Sequence, residues 1–123
     1  MEKDHLARIK ALVTNLVIDV SGKLDLLAVA ALIRRARLLA TVDSAPMHLA
    51  GALGTPQVVL FGPTNPFHWH PRGSPSVILQ AGQTHPSRDF LPKQTRHPMK
   101  EISTKQVIDA MQSLLSTPAA RAP

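Results

Sequence analysis

The residues best suited to chemistry lie in one run, Thr41-Val42-Asp43-Ser44-Ala45-Pro46-Met47-His48-Leu49-Ala50, followed by Gly54-Thr55-Pro56 and Phe61-Gly62-Pro63-Thr64. The run reads as a strand that ends in a short polar turn, and the turn opens straight into a helix. The first N–H groups of a helix have no intrahelical acceptor, and the helix dipole is positive at that end. The spacing therefore places the amides of Ser44, Ala45, Met47 and His48 where an anion such as a phosphate would be held. Pro46 forfeits nothing in a first turn. Asp43 repels phosphate, but its carboxylate accepts hydrogen bonds from the hydroxyls of a sugar or ribose. Amides for phosphate beside a carboxylate for hydroxyls suit a nucleotide-sugar. Ser44 can cap the helix or donate to a phosphate oxygen, and His48 can donate as a neutral imidazole. On the residues alone a second reading stays open, in which Asp43 and Ser44 merely cap the helix and His48 packs beneath the turn.

The elements that must position this turn follow from periodicity. Leu6, Ile9, Leu12, Val13 and Leu16 recur at helical spacing, which predicts an amphipathic helix over residues 4–15. Leu16-Val17-Ile18-Asp19-Val20 predicts a short buried strand that ends at the Ser21-Gly22 turn. Residues 24–36 are rich in Leu and Ala and end in arginines, which predicts a second helix. A strand over 37–42 and a short helix over 46–53 follow, with Gly54 placed to end that helix. Residues 57–61 and 76–79 predict two further strands, with Pro56 confined to the start of the first. Ser103-Thr104-Lys105-Gln106 has the spacing of a capping box, and Val107, Ile108, Met111, Leu114 and Leu115 then share one helical face.

Strands alternating with helices imply βαβ units, so the fold class is α/β, a Rossmann-like, mostly parallel sheet with flanking helices. The ligand is then expected at the carboxyl ends of the strands, where Asp43 to His48 lie. The chain opens on a helix, with no preceding strand and no Gly-rich phosphate turn, and so resembles the later part of a doubly wound domain. That predicts a partial domain over 1–117, with a long basic loop over 81–100, a C-terminal helix over 103–116 and a frayed tail over 118–123.

Length and composition bound the remaining possibilities. The 123 residues suffice for one domain with a modest core, and 44% apolar content favours a folded state. There is no cysteine, which excludes disulfides and thiolate metal sites and fits a reducing, cytoplasmic setting. A net charge of +6 attracts phosphates or anionic surfaces, but Phe61, Phe67, Trp69 and Phe90 are too few rings for a base-stacking platform. Nucleic acid is not an expected partner. The N-terminal residues lack signal-peptide order, and no apolar run is long enough to span a bilayer.

Asp43 to Ala50, together with Ala52-Leu53-Gly54-Thr55-Pro56-Gln57-Val58-Val59-Leu60-Phe61-Gly62-Pro63-Thr64, resembles the C-terminal domain of glycosyltransferase family 9, the bacterial heptosyltransferases of lipopolysaccharide core assembly. The helix at 21–36 and the stretch from Pro98 to Ile102 with Val107 resemble the flanking family segments, so nearly the whole chain is covered. The resemblance implies the C-terminal part of a two-domain GT-B enzyme, whose donor is a nucleotide-sugar such as ADP-heptose and whose acceptor is a lipopolysaccharide core. By that resemblance Asp43 contacts the donor sugar, Ser44 and Ala45 hold the diphosphate through their amides, and His48 lies near the phosphates. Met47 belongs to the same candidate donor site, and Asp4 or Glu2 corresponds to an acid near the ribose. The catalytic base is a carboxylate of the other domain, so no catalytic residue and no cofactor are expected in this chain. Two departures stand out: Ala45 replaces a family glycine, and cysteines that many members carry after the last strand are absent.

His68 and His70, with His85 and His97, lack the spacing of a metal site, and none is expected. Phe67 to Pro71 reads as a loop at the cleft rim with Trp69 packed against it. Arg72, Arg88, Lys93, Arg96 and Lys100 form a solvated basic loop, which can also draw the protein to a phosphorylated acceptor or to the inner membrane as a peripheral protein. An incomplete sheet leaves an open edge, which predicts self-association.

Overall fold

The computed structural model describes residues 2–90 and 95–117. Lys93, the side chain of Glu2 and the tail over 118–123 fall outside the described residues. The order is α1 (Glu2–Leu12), α2 (Leu26–Arg35), β1 (Leu39–Val42), α3 (Ala45–Leu53), β2 (Gln57–Phe61), α4 (Pro66–Trp69), β3 (Ser76–Gln80), a 3₁₀ turn (Met99–Glu101) and α5 (Thr104–Ser116). The three strands form a parallel sheet in the order β1-β2-β3. This is the α/β architecture expected from the alternation of elements.

Each element has a local cause. The Asp25 carboxylate accepts from the Ala28 N–H at 2.8 Å, so the cap sets the start of α2 two residues later than its Leu-rich composition suggests. Gly54 ends α3 with φ of 72°, a left-handed conformation costly for any residue with a Cβ. The capping box of α5 is complete: Gln106 N–H donates to Ser103 Oγ at 3.2 Å, and Ser103 N–H donates to Gln106 Oε1 at 2.8 Å.

Strand β2 is the centre of the core. Val58 and Val59 face opposite sides of the sheet, and both are fully buried. Met47 of α3 packs with Val59 and Phe61 on one side, with Ile78 of β3 beside them. Helix α5 lies against β2 and β3 and covers the side to which Val58 points. Burial of a central parallel strand on both faces explains why it reads as an unbroken apolar run and not an alternation.

The expected strand over 16–20 does not form. Leu16 is 92% and Ile18 77% exposed, and no described strand pairs with them. A β-branched run has the propensity for a strand but becomes one only against a hydrogen-bonding edge. Instead Asp19 ties the segment back on itself. Its carboxylate accepts from Ser21 N–H at 2.9 Å and from Lys10 Nζ at 3.0 Å, and its carbonyl accepts from Lys23 Nζ at 2.8 Å. Helix α1 also stops at Leu12, short of the predicted residue 15, and Leu6, Ile9 and Leu12 stand in solvent. The region from Phe67 to Pro71 is likewise not simply a loop. Asn65 caps a one-turn helix by accepting from Phe67 N–H at 2.9 Å, and Trp69, expected to be packed, is 55% exposed.

Candidate functional site

Strand register brings the candidate residues to one end of the sheet. Val42 pairs with Leu60, and Phe61 with Gln80, so Asp43, Gly62 and Ala81 follow the three strands at nearly one level. Two hydrogen bonds carry the ladder past the strand ends: Asp43 N–H donates to Leu60 O at 3.3 Å, and Ala81 N–H to Phe61 O at 2.8 Å. The carboxyl ends of parallel strands are where open α/β sheets bind ligands.

Within the turn, the backbone N–H groups of Ser44 and Ala45 have no acceptor in the protein among the described residues. They stand at the positive end of α3 and remain available to an anion. The Asp43 carboxylate, half-buried, makes no hydrogen bond or ion pair there either, which leaves it open to accept from hydroxyls. His48 is exposed on the first turn of α3.

Two sequence-based roles are corrected. The Met47 N–H is not a free first-turn amide, because it donates to Ser44 O at 3.1 Å. Its side chain is fully buried against Val59 and Phe61, so Met47 fixes the turn from below and cannot reach a ligand. Ser44 occupies the N-cap position without capping. Its hydroxyl donates backwards to Val42 O at 3.1 Å and lies 3.4 Å from Thr41 Oγ1. That arrangement leaves the helix amides unshielded by a side chain, which disfavours the reading of the turn as a helix cap alone.

Ala45 is exposed, and no non-glycine residue among those described has positive φ. The alanine therefore sits in this turn without backbone strain. Its methyl group matters only for how closely a ligand can approach.

Buried glutamines that no motif announces organise the surroundings. Gln57 is fully buried, and its Nε2 donates to Met47 O at 3.2 Å and to Ser74 Oγ at 3.0 Å, tying α3 to the loop before β3. Gln80, at the end of β3, accepts from Ser87 N–H at 2.7 Å. A cavity of about 360 Å³ opens at this end of β3, lined by Gln80, Gly82, Gln83, Thr84, Glu101 and Gln106. Gly82, with φ of 71°, leaves its face open to the His97 imidazole, itself paired with Glu101 at 2.8 Å. His68 and His70 are engaged locally. His68 makes edge contacts with Phe67 and Phe90, and His70 Nδ1 lies 3.0 Å from Pro66 O.

Comparison with known proteins settles the family. The sequence profile of glycosyltransferase family 9 (heptosyltransferase) matches residues 1–100. The chain belongs to glycosyltransferase family 9. It is 33% identical over 120 residues to lipopolysaccharide heptosyltransferase 3 of Escherichia coli, covering 93% of this chain and 35% of that protein. It is 28% identical over 123 residues to the lipopolysaccharide core heptosyltransferase OpsX of Haemophilus influenzae, covering 92% of this chain and 35% of the relative. The crystal structure of a glycosyl transferase family 9 protein from Veillonella parvula superposes with a TM-score of 0.78 at 31% identity, covering 94% of this chain and 34% of that one. This family-9 chain thus spans about a third of the length of the relatives it matches. Among its described residues no helix is long and apolar enough to cross a membrane.

Proposed function

We propose that this chain is the donor-binding part of a heptosyltransferase-like glycosyltransferase of GT-B architecture, which moves a sugar from a nucleotide-sugar such as ADP-heptose to a lipopolysaccharide core acceptor. The observation that carries the reading is the turn after β1. Free amides of Ser44 and Ala45 stand beside an unpaired Asp43 carboxylate at the carboxyl end of a parallel sheet. The amides hold the diphosphate, His48 donates to it, and Asp43 accepts from hydroxyls of the sugar. Transfer requires an acceptor oxygen to attack the anomeric carbon as the bond to the diphosphate breaks. The amides stabilise the charge that develops on the departing diphosphate, while a carboxylate outside this chain takes the acceptor proton. The nucleotide-sugar is a substrate, and no cofactor is needed.

The open setting of the turn supports a shared cleft. Ala45 and His48 are exposed, and Leu6, Ile9, Leu16 and Ile18 of the N-terminal segment lack cover. Relatives about three times as long supply the remaining surface in this reading. The assembled enzyme works in the cytoplasm, at the inner face of the membrane that carries its acceptor.

Calorimetry with ADP, ADP-heptose and a UDP-sugar, on the wild type and on Asp43→Ala, tests the assignment. ADP-heptose binding should weaken about tenfold in the variant, the loss expected for hydrogen bonds to a charged group. Binding of ADP, which lacks the sugar, should change little. Equal weak binding of ADP-heptose by both proteins would sink the assignment.

A further inference from the structure

A second cavity, of about 560 Å³, lies between α4 and the loop that follows β3, and none of Asp43 to His48 lines it. Its lining includes Arg72, Arg88, His68 and His70, with Phe67 and Ile78 among the apolar residues. Its volume falls within the range of small-molecule sites. No carboxylate lines it, and neither arginine has a hydrogen-bond or ion-pair partner among the described residues. Two unpaired guanidinium groups on one cavity are poised for a phosphate, which arginine binds through two parallel N–H donors.

Both walls are held in place. The Arg72 carbonyl passes so close to α3 that a Cβ on Gly51 would stand 2.5 Å from it, and Gly73, at φ of 86°, completes the crossing. His70 N–H donates to Pro66 O at 2.9 Å, closing the α4 turn. On the other side, the buried Gln80 accepts from Ser87 N–H, and Asn65 Nδ2 donates to Asp89 O at 3.2 Å, linking the start of α4 to the opposite loop. A site whose walls are already fixed loses little freedom when it binds.

The polar groups complete the chemistry. His70 Nδ1 lies within reach of two carbonyl oxygens, those of Pro66 and Phe67, and therefore carries its proton there. This leaves Nε2 as an acceptor for a ligand hydroxyl. Phe67 and Ile78 offer apolar surface to the C–H face of a sugar ring. We propose that this cavity binds a sugar phosphate, with Arg72 and Arg88 on the phosphate and His70 on a ring hydroxyl.

The test is calorimetry on the 123-residue chain with glucose 6-phosphate, glucose and inorganic phosphate as probes, repeated on Arg72→Gln, Arg88→Gln, the double variant and Asp43→Ala. Thermal melts establish that each variant folds, and because neither arginine side chain has a hydrogen-bond or ion-pair partner among the described residues, the melts should coincide. Glucose 6-phosphate should bind saturably, more weakly as salt rises, and about tenfold or more weakly to the double variant. It should bind Asp43→Ala as it binds the wild type, and glucose should not bind. Absence of saturable glucose 6-phosphate binding, or binding undiminished in the double variant, overturns the site. Inorganic phosphate binding as tightly as glucose 6-phosphate overturns its assignment to a sugar phosphate. Loss of binding in Asp43→Ala would return the ligand to the donor turn. The proposal stands or falls independently of the donor assignment, which Asp43→Ala tests with ADP-heptose.

Discussion

Gly51 of α3 and Arg72 of the loop before β3 are in backbone contact: a Cβ built on Gly51 would meet the Arg72 carbonyl oxygen at 2.5 Å. This crossing sets how close α3 lies to the loop that carries Arg72. The expected outcome for Gly51→Ala is a net loss of stability of about 1–3 kcal/mol, because overpacking against backbone exceeds the gain of up to about 1 kcal/mol in helix propensity. Urea denaturation measures it. A variant as stable as the wild type would mean that the loop can retreat without cost.

How much of this was legible in the sequence depends on whether the signal was local. The capping box at Ser103 and Gln106, Gly54 as a helix stop, and the buried run of β2 all rest on neighbours within a few residues, and all formed as read. The strand expected over 16–20 failed because strand formation depends on a partner edge that no local pattern specifies. Ser44 looked like a cap by residue type, but its hydroxyl donates to Val42 O instead of accepting from a helix N–H, a choice that spacing cannot rank. Met47 was counted with the ligand turn because of its position, whereas α3 rotates its side chain into the core. Gln57 and Gln80 were invisible because a buried glutamine is recognised only by what it bridges. The same holds for the crossing of Gly51 with Arg72, since nothing between the two residues in sequence announces it.

Met47 underpins the Asp43–Ala45 turn from within the core. Its side chain is fully buried against Val59 and Phe61, three residues beyond Ser44. Met47→Ala should cost about 2–5 kcal/mol, the range for emptying a core position. Because α3 begins directly beneath the free amides, the variant should also bind ADP-heptose more weakly under conditions where it remains folded. Denaturation and calorimetry on the same preparation separate the two effects. Full destabilisation with unchanged affinity would show that the turn keeps its shape without this anchor.

Asp19 makes the N-terminal segment acid-sensitive. Hydrogen bonds from Ser21, with help from Lys10, hold its carboxyl well below the usual carboxylate range. A carboxyl with a depressed folded-state pKa contributes stability above its unfolded value and loses that contribution as pH falls through the folded one. The attachment of α1 to the 19–23 turn should thus persist at neutral pH and weaken only in strong acid, below the ordinary carboxylate range. The group is half-buried at the surface, so the effect is local rather than global. Amide exchange of residues 10–23 should quicken in Asp19→Asn at neutral pH to the pattern the wild type shows in acid. Identical exchange in the two proteins at neutral pH would remove Asp19 from this role.

Ala45 tests the proposed donor site most directly, because the family resemblance sets a glycine at this position while the alanine's own backbone is unstrained. Under the proposed function, a diphosphate must come within hydrogen-bond distance of the Ser44 and Ala45 amides, and the exposed Ala45 methyl group stands on that same turn. Ala45→Gly should therefore raise affinity for both ADP and ADP-heptose, since the diphosphate is common to them. The stability cost should not exceed about 1 kcal/mol, the penalty of extra backbone freedom in the unfolded chain. The pattern differs from that of Asp43→Ala, which should affect ADP-heptose and spare ADP. Calorimetry on the two single variants and their combination separates the contributions, with additive changes expected if phosphate and sugar are held by different groups. Unchanged or lower ADP affinity in Ala45→Gly would show that the diphosphate does not approach these amides.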